Sequence, residues 1–280
     1  MANLRELRTR VSSIKNIQRV TNAMQLVAAA RMRRAQEAIT SARPYAQQLD
    51  RVLQQLSGSV DPSSHPLFLD RGDARTVYVV VSSDRGLCGG FNTNVCRAGF
   101  GSVQADDSVV TVGRKARNFF GNRNVTVAND HADVFRELSF AQAVTIADDV
   151  KSRFLAGTVD RVFLVYNEFV SVATQQPVVE QLLPIVPKEV EGSNSEEYLF
   201  EPSPEVLLDT LVPRHVNFQV WRALLESNAG EQASRMRAMD NATKNAGELI
   251  EDLTREMNKE RQASITLELM DIIGGAEAVA

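Results

Sequence analysis

The first residues to examine for chemistry are the glycine-rich stretch from Ser83 to Asn92, with the sequence SDRGLCGGFN. This stretch follows an apolar, β-branched run that is typical of a buried strand, and a glycine-rich turn in that position can hold a phosphate with its backbone amides. The spacing matches neither the GxGxxG dinucleotide fingerprint nor the GxxxxGK[ST] phosphate loop. We therefore predict a structural turn, capped by Asp84 and Arg85, and keep a ligand site as the alternative.

Histidine and cysteine are the other residue types that commonly carry catalysis or hold a metal. His65, His131 and His215 are far apart in the sequence and form no HExxH motif. Cys88 and Cys96 lack CxxC spacing and are too few for a disulfide framework, which indicates a reducing compartment. We interpret Cys88 as a buried, inert thiol. The sequence supports neither catalysis within this chain nor a bound cofactor or metal.

Charge is distributed unevenly along the chain. The 280 residues carry a formal net charge of −4, yet the first 43 residues contain nine Arg or Lys against two Glu. An N-terminal helix with this composition is strongly basic within an acidic protein. We expect such a face to seek an acidic surface.

The C-terminal region contains the longest helical pattern. Apolar and small residues recur at steps of three and four from Phe218 to Leu253, with no proline in the run. We predict a helix that starts at Ser203-Pro204-Glu205, bends or breaks at Pro213 and ends at Gly274-Gly275. Residues 214–273 alone would be roughly 90 Å long, so most of this helix needs a partner.

Three polar residues, Asn228, Gln232 and Arg235, stand on this stripe where apolar residues would be more stable. Polar residues in such positions usually set the register of helix pairing. The alternative is that they face a third surface, which they contact and release. Both interpretations stay open from the sequence.

The N-terminal region supplies the partner helix, which we expect to run to about Leu56 with a kink or a split at Pro44. One stripe of this helix carries Leu4, Leu7, Val11, Ile14, Thr21, Ala28 and Ala35, and we expect Ile17, Val20, Met24 and Val27 to widen it. Because the two long helices lie at opposite ends of the chain, they predict an antiparallel coiled coil with a compact domain inserted between them.

The middle of the chain predicts an α/β domain. Short apolar runs at 77–82, 109–112, 125–128, 161–168 and 178–183 read as strands, and helical patterns at 92–104, 115–120 and 140–155 separate most of them. This alternation predicts a largely parallel, Rossmann-like sheet, whose last two strands are close enough for an antiparallel hairpin. The expected domains are residues 1–57, 58–202 and 203–280.

Four stretches resemble the gamma subunit of F-type ATP synthases. They are IQRVTNAMQLVAAARMRRAQ (17–36), SDRGLCGGFN (83–92), RMRAMDNATKNA (235–246) and RQASITLELMDIIGG (261–275). They cover both helical arms and the first strand and turn of the inserted domain. The long cysteine-bearing insertion of chloroplast members does not follow the inserted domain, so the resemblance is to the bacterial type.

The resemblance implies a non-catalytic central rotor. Such a chain turns inside the hexamer of alpha and beta subunits and couples proton flow through the c ring to ATP synthesis at the beta sites. The implied partners are the alpha, beta and epsilon subunits and the c ring, with no cofactor and no nucleic acid. The implied location is the cytoplasmic face of the bacterial cell membrane, as a peripheral protein that contacts the membrane only through the c ring.

The resemblance also implies which residues contact these partners. Met24 and the basic Arg31, Arg33 and Arg34 would face acidic loops of beta. Arg261 and Gln262 would form a second contact with beta, and Tyr198 and Glu201 would lie at the foot, near the c ring and epsilon.

Two other classes of protein remain as alternatives. A nucleic-acid-binding or scaffold coiled coil would use the basic N-terminal helix, but that helix lacks stacking aromatics and the total charge is acidic. A small nucleotide-dependent α/β enzyme would need the phosphate-loop spacing that the glycine-rich turn lacks. Co-purification with alpha and beta chains would argue against the first alternative, and titration of the isolated chain with ATP would test the second.

Overall fold

The computed structural model describes residues 2–59, 65–72, 74–186, 201 and 203–277. In chain order the elements are α1 (Ala2–Ser59), β1 (Thr76–Val81), α2 (Phe91–Ser102), β2 (Ser108–Val112), α3 (Arg114–Gly121), β3 (Thr126–His131), α4 (Phe140–Leu155), β4 (Arg161–Phe169), β5 (Gln175–Leu183) and α5 (Pro204–Glu277). Short 3₁₀ helices occupy Pro66–Phe68 and Val134–Arg136. Within the described ranges, none of the helices has the length and apolarity needed to cross a lipid bilayer.

The five strands form one sheet in the order β3-β2-β1-β4-β5. The pairs β3–β2, β2–β1 and β1–β4 are parallel, and β4 and β5 form an antiparallel hairpin. Every residue of β1 is buried, as expected for a central strand that is covered on both faces. The predicted Rossmann-like sheet and its terminal hairpin are therefore confirmed.

Helices cover the two faces of the sheet. Val95 of α2 and Phe120 of α3 pack with Val80 and Val165 on one face. The other face carries the larger core, in which the sheet meets α4 together with parts of α1 and α5. Its fully buried members include Val79, Leu164, Ile146, Phe154, Leu56, Leu208, Val212 and Leu224.

The chain divides into two compact units. One is formed by Met1–Ala28 and Arg235–Ala280, and the other by Ala29–Ser234. Each long helix contributes residues to both units, because α1 and α5 are continuous in the structure.

The smaller unit is an antiparallel pair of helices. Thr21 Oγ1 lies 2.7 Å from Thr243 Oγ1, and Gln25 Nε2 donates to Asp240 Oδ1 at 3.1 Å. Residue numbers rise along α1 as they fall along α5, so the pairing is antiparallel as predicted. Gly247 allows the closest approach, since a Cβ there would lie 3.2 Å from Gln18 Nε2.

The burial pattern of α1 partly differs from the prediction. Leu7, Val11, Thr21, Ala28 and Ala35 are buried as expected. The expectation that Ile17, Val20 and Val27 widen this stripe is wrong, because all three side chains are more than half exposed. Gln18 and Gln25 contact α5 in their place, beside Thr21. A shift of one residue turns a side chain by about 100° around a helix.

The larger unit also pairs α1 with α5, now against the sheet. The rings of Tyr45 and Phe218 have centroids 5.1 Å apart, and Asp50 Oδ1 lies 3.3 Å from His215 Nδ1. Leu49, Leu53 and Leu56 pack in the same core as Val212, Val216 and Val220. The paired helices thus supply one wall of the core of the inserted sheet.

Neither internal proline splits its helix. Pro44 lies inside α1 and Pro213 lies inside α5. Of the predicted alternatives, the split at Pro44 and the break at Pro213 are wrong, while a kink or a bend at these positions stays a prediction. Around Pro213 the helix is held by core packing, because Val212 and Val216 are fully buried. The predicted end at Gly274-Gly275 is also wrong, since α5 continues to Glu277.

Candidate functional site

Arg31, Arg33 and Arg34 form a basic surface on α1. All three side chains are exposed, and none of them forms an ion pair with another described residue. On the same helix Arg10 is different, because Glu6 lies 2.8 Å away in an i, i+4 pair. Unpaired guanidinium groups on a rigid helix are available to an acidic partner at a low desolvation cost.

Met24 is half-buried on α1 in the smaller unit, whereas the three arginines belong to the larger one. The register of the helix pair sets Met24 close to the level of Asp240 on α5, because its neighbour Gln25 bonds that residue. Arg261 lies 21 residues further along α5, which corresponds to about 30 Å of helix. Met24 and Arg261 therefore belong to two separate surfaces of the smaller unit.

Arg261 and Gln262 are exposed on α5, just before an apolar end. The Gln262 backbone carbonyl accepts a hydrogen bond from Thr266 Oγ1 at 2.9 Å, within the helix. Arg261 has no ion pair with a described residue.

The end of α5 exposes large apolar side chains over much of its circumference. They are Ile265, Leu267, Leu269, Met270, Ile272 and Ile273, with exposures of 49–68%. At 100° per residue these positions cover an arc of about 220°, and the exposed Glu268 and Asp271 lie on the remaining side. An exposed apolar surface of this width is normally covered by other protein.

The predicted foot residues are only partly described. Glu201 is exposed, and Tyr198 lies outside the described residues.

The glycine-rich turn is held by its own polar groups. Asn92 Oδ1 accepts from the Ser83 backbone amide at 2.9 Å, and Asn92 Nδ2 donates to Ser83 Oγ at 2.9 Å. Asp84 accepts backbone N–H groups from Arg114, Asp133 and Phe135, which ties the turn to the start of α3. This network supports the interpretation of the stretch as a structural turn, with Asp84 as its capping residue.

The residue types considered for catalysis are accounted for by packing. Cys88 and Cys96 are buried thiols, and burial raises the pKa of Cys96 to about 12. His65 caps the first 3₁₀ helix through Nδ1, and burial lowers its pKa. In the part of the chain that the structure describes, no cluster of three His, Cys, Asp or Glu side chains could hold a metal ion.

The sequence predicted only some of the buried polar residues on α5. Gln232 and Arg235 are 6% and 8% exposed, which supports a packing role for these stripe residues. Ser227 and Glu231, which the sequence analysis did not single out, are buried beside them. The hydrophobic period alone could not reveal them, because they lie next to the stripe and not on it.

Comparison with known proteins was consistent across sequence and structure. A family model described as ATP synthase matches residues 3–279. The chain is 46% identical to the ATP synthase gamma chain of Pelotomaculum thermopropionicum over 283 residues, covering all of both chains. It is also 46% identical to the ATP synthase gamma chain of Geobacter metallireducens over 286 residues, covering all of this chain and 99% of the relative.

Solved structures share the fold. A chain from the Euglena gracilis mitochondrial ATP synthase, OSCP/F1/c-ring, in rotational state 3, superposes with a TM-score of 0.74 at 21% identity, covering 99% of this chain and 95% of that one. A chain from the central stalk and c-ring of the Tetrahymena thermophila mitochondrial ATP synthase gives 0.61 at 24% identity, covering 80% and 99%. With full-length relatives and a family model that spans nearly every residue, the chain belongs to the ATP synthase gamma chain family.

Proposed function

We propose that this gamma chain is the turning shaft of a proton-driven ATP synthase, coupling flow through a c ring to ATP synthesis on beta subunits. As a gamma chain it is a non-catalytic subunit of the central stalk. The observation that carries the proposal is the apolar end of α5, where residues 265–273 expose large apolar side chains over more than half of the helix circumference. A shaft that turns inside a sleeve needs such a surface.

The physical reason is that apolar contact is non-directional. Burial of Leu269, Met270 and Ile272 against a smooth apolar sleeve would favour enclosure without fixing one angle of rotation. Hydrogen bonds and buried ion pairs would fix a single angle, because they depend on geometry. Exposed charges can be confined to a few positions where force is passed to the partner. Ion pairs between exposed groups form and break at low cost in free energy.

We assign the force-transmitting contacts to the basic and polar positions. In this proposal Met24 with Arg31, Arg33 and Arg34 meets acidic loops of beta, and Arg261 with Gln262 makes a second contact with beta. Tyr198 and Glu201 lie at the foot near the c ring and epsilon. Inserted residues 58–202 act as a domain between two helical arms, 1–57 and 203–280. The complex would face the cytoplasm, with this chain held at the membrane only through the c ring.

The test uses Arg261→Ala combined with Gln262→Ala in the assembled complex. We expect lower ATP hydrolysis and lower synthesis with a normal amount of complex, because the change removes charge and hydrogen-bonding groups but no buried packing. The control is Asn258→Ala with Lys259→Ala, the adjacent exposed pair on α5.

Unchanged turnover in the purified Arg261/Gln262 variant would remove this contact from the proposal. Failure of the wild-type chain to co-purify with alpha and beta chains would reject the shaft function itself.

A further inference from the structure

Residues spaced by four on α5 face the β4–β5 hairpin inside the larger unit. They are Arg222, Glu226, Gly230 and Ser234, which we call the hairpin-facing row. In an α-helix, positions i, i+4, i+8 and i+12 form a continuous row that winds around one side by about 40° per step. Each member of the row has a contact with the hairpin or with the turn beside it.

At the first position, Arg222 forms an ion pair with Glu180 of β5. Tyr166 of β4 also donates its hydroxyl to the same carboxylate, at 3.0 Å. The Arg222 guanidinium lies 5.8 Å from the centre of the Tyr166 ring. The side chains of Arg222 and Glu180 are each about 70% buried, so their hydrogen-bonding geometry is shielded from water and directional.

At the last position, Ser234 Oγ donates to Gln175 Oε1 at 2.7 Å. The amide of Gln175 is held in the matching orientation, because its Nε2 donates to the carbonyls of Ser171 and Val172 at 2.9 and 3.0 Å. The turn of the hairpin therefore presents a fixed acceptor to the helix.

Between them, Gly230 is the point of closest approach. A Cβ at this position would lie 3.2 Å from the Phe91 ring and 3.3 Å from Gln175 Cγ. Glycine inside a helix is destabilising relative to alanine, so a buried glycine here needs a packing reason. Glu226, one turn earlier, is held near the Phe169 backbone at the end of β4.

The distance between the first and last contacts is similar along α5 and along β5. From Arg222 to Ser234 the helix rises by roughly 18 Å, and from Glu180 to Gln175 the strand covers roughly 17 Å. Residue numbers fall along β5 as they rise along α5. Successive residues of the row therefore contact successive positions of β5 over about three turns of helix. Such a matched set of directional contacts fits one register only.

We propose that the hairpin-facing row is a positioning row, which fixes the β4–β5 hairpin at one height and one angle on α5, so that force applied to the inserted sheet turns the helix without slipping. This inference rests on the proposed shaft function. The effect of the row is on how much of the rotation of the inserted sheet is transmitted to α5.

The test compares variants in the assembled complex in inverted membrane vesicles. Gln175→Ala with Ser234→Ala removes one directional contact, and Gly230→Val forces the hairpin away from α5. Ser234→Thr keeps the hydroxyl and serves as the conservative variant. Gln176→Ala with Ser41→Ala is the matched control, because both residues are exposed and neither contacts the row.

Three quantities are measured for each variant: ATP hydrolysis, ATP-driven proton pumping and hydrogen exchange of the backbone amides of residues 170–180. For Gln175→Ala with Ser234→Ala we expect exchange to rise about fivefold, the effect of one lost hydrogen bond on local opening. Pumping per ATP hydrolysed should fall while hydrolysis persists, and Ser234→Thr should behave as wild type.

Pumping per ATP hydrolysed that equals the control in Gln175→Ala with Ser234→Ala would overturn the inference. A loss of complex or of stability alone would lower hydrolysis and pumping together, and that outcome would also overturn a positioning role. A wild-type complex that hydrolyses ATP without pumping protons is a different result, because it would reject the proposed function first.

Discussion

Glu226 shows at the residue scale how a buried carboxyl group affects this fold. Its side chain is 13% exposed, and one carboxylate oxygen is buried with no hydrogen-bond partner among the described residues. Burial raises the pKa of Glu226, while the Arg222 guanidinium opposes that rise. The charged form is therefore the disfavoured one in the folded chain.

The pH dependence follows from the direction of that shift. A carboxyl group whose pKa is higher in the folded state contributes stability below its ordinary value of 4.5, and this contribution is lost as the pH rises through the folded value. We expect Glu226→Gln to raise the unfolding midpoint of the chain at pH 7 to 8. The difference from wild type should disappear near pH 4.

Thermal unfolding followed by circular dichroism from pH 4 to 8 measures this effect. Glu256→Gln, an exposed carboxyl group on the same helix, is the control. A midpoint shift that stays constant with pH would show that charge burial is not the cause.

Arg33 and Arg34 are the residue-scale test of the contact with beta. We expect Arg33→Glu with Arg34→Glu to weaken the coupling of ion flow to ATP turnover, because two negative groups would then replace two positive ones and repel an acidic partner surface. ATP-driven proton pumping by inverted vesicles, compared with hydrolysis, is the measurement. Reversal of Arg97 and Arg136, exposed on the inserted domain, is the charge-matched control, and normal pumping by the Arg33/Arg34 variant would refute the contact.

At the scale of elements, the junction of β2 and α3 depends on Gly113. Its φ of +89° is a conformation that side chains with a Cβ rarely adopt, and a Cβ would lie 2.7 Å from the Ser82 carbonyl oxygen. The Ser82 hydroxyl meanwhile accepts the Ala116 amide at 2.7 Å, so the end of β1 caps the first turn of α3. The strand and the helix are thus fixed to each other through this junction.

We expect Gly113→Ala to lower the free energy of unfolding by about 1–3 kcal/mol, since backbone strain and a steric clash act together. Chemical denaturation of the full-length chain measures this change. Gly121→Ala is the control, because nothing lies within 4 Å of a Cβ at the end of α3. Equal midpoints for the two variants would contradict the assignment of strain to Gly113.

For the whole molecule, the fold explains why a Rossmann-like sheet serves a non-catalytic subunit. Open parallel sheets usually bind ligands beyond the carboxyl ends of their strands, where the strand order reverses, here between β1 and β4. In this chain Asn167 of β4 donates to the Phe91 carbonyl at that edge, and the Phe91 ring lies against Gly230 of α5. The protein itself fills the usual ligand position.

We therefore expect the isolated full-length chain to show no ATP binding in isothermal titration with magnesium present. Addition of alpha and beta chains should restore nucleotide binding and turnover. Stoichiometric binding to the isolated chain would contradict this account and would favour the nucleotide-dependent alternative.

The sequence by itself predicted much of the architecture, because hydrophobic period is a local property. The run of Val in β1 is typical of a strand buried on both faces, and the three-and-four spacing of Leu7, Val11 and Ile14 is typical of a helix buried on one face. Exposed basic residues such as Arg33 were also predictable, since the first 43 residues hold nine Arg or Lys against two Glu. The family resemblance then supplied the function.

Only the tertiary structure decided which of several possible faces is buried and which breaks in a helix are tolerated. Ile17 and Gln18 differ by one position, and the choice between them depended on the register of α1 against α5. Pro213 stays helical because Val212 and Val216 are locked in a core built from distant segments. The contacts of Arg222, Gly230 and Ser234 join residues more than 40 positions apart, and a local pattern carries no information about such pairs.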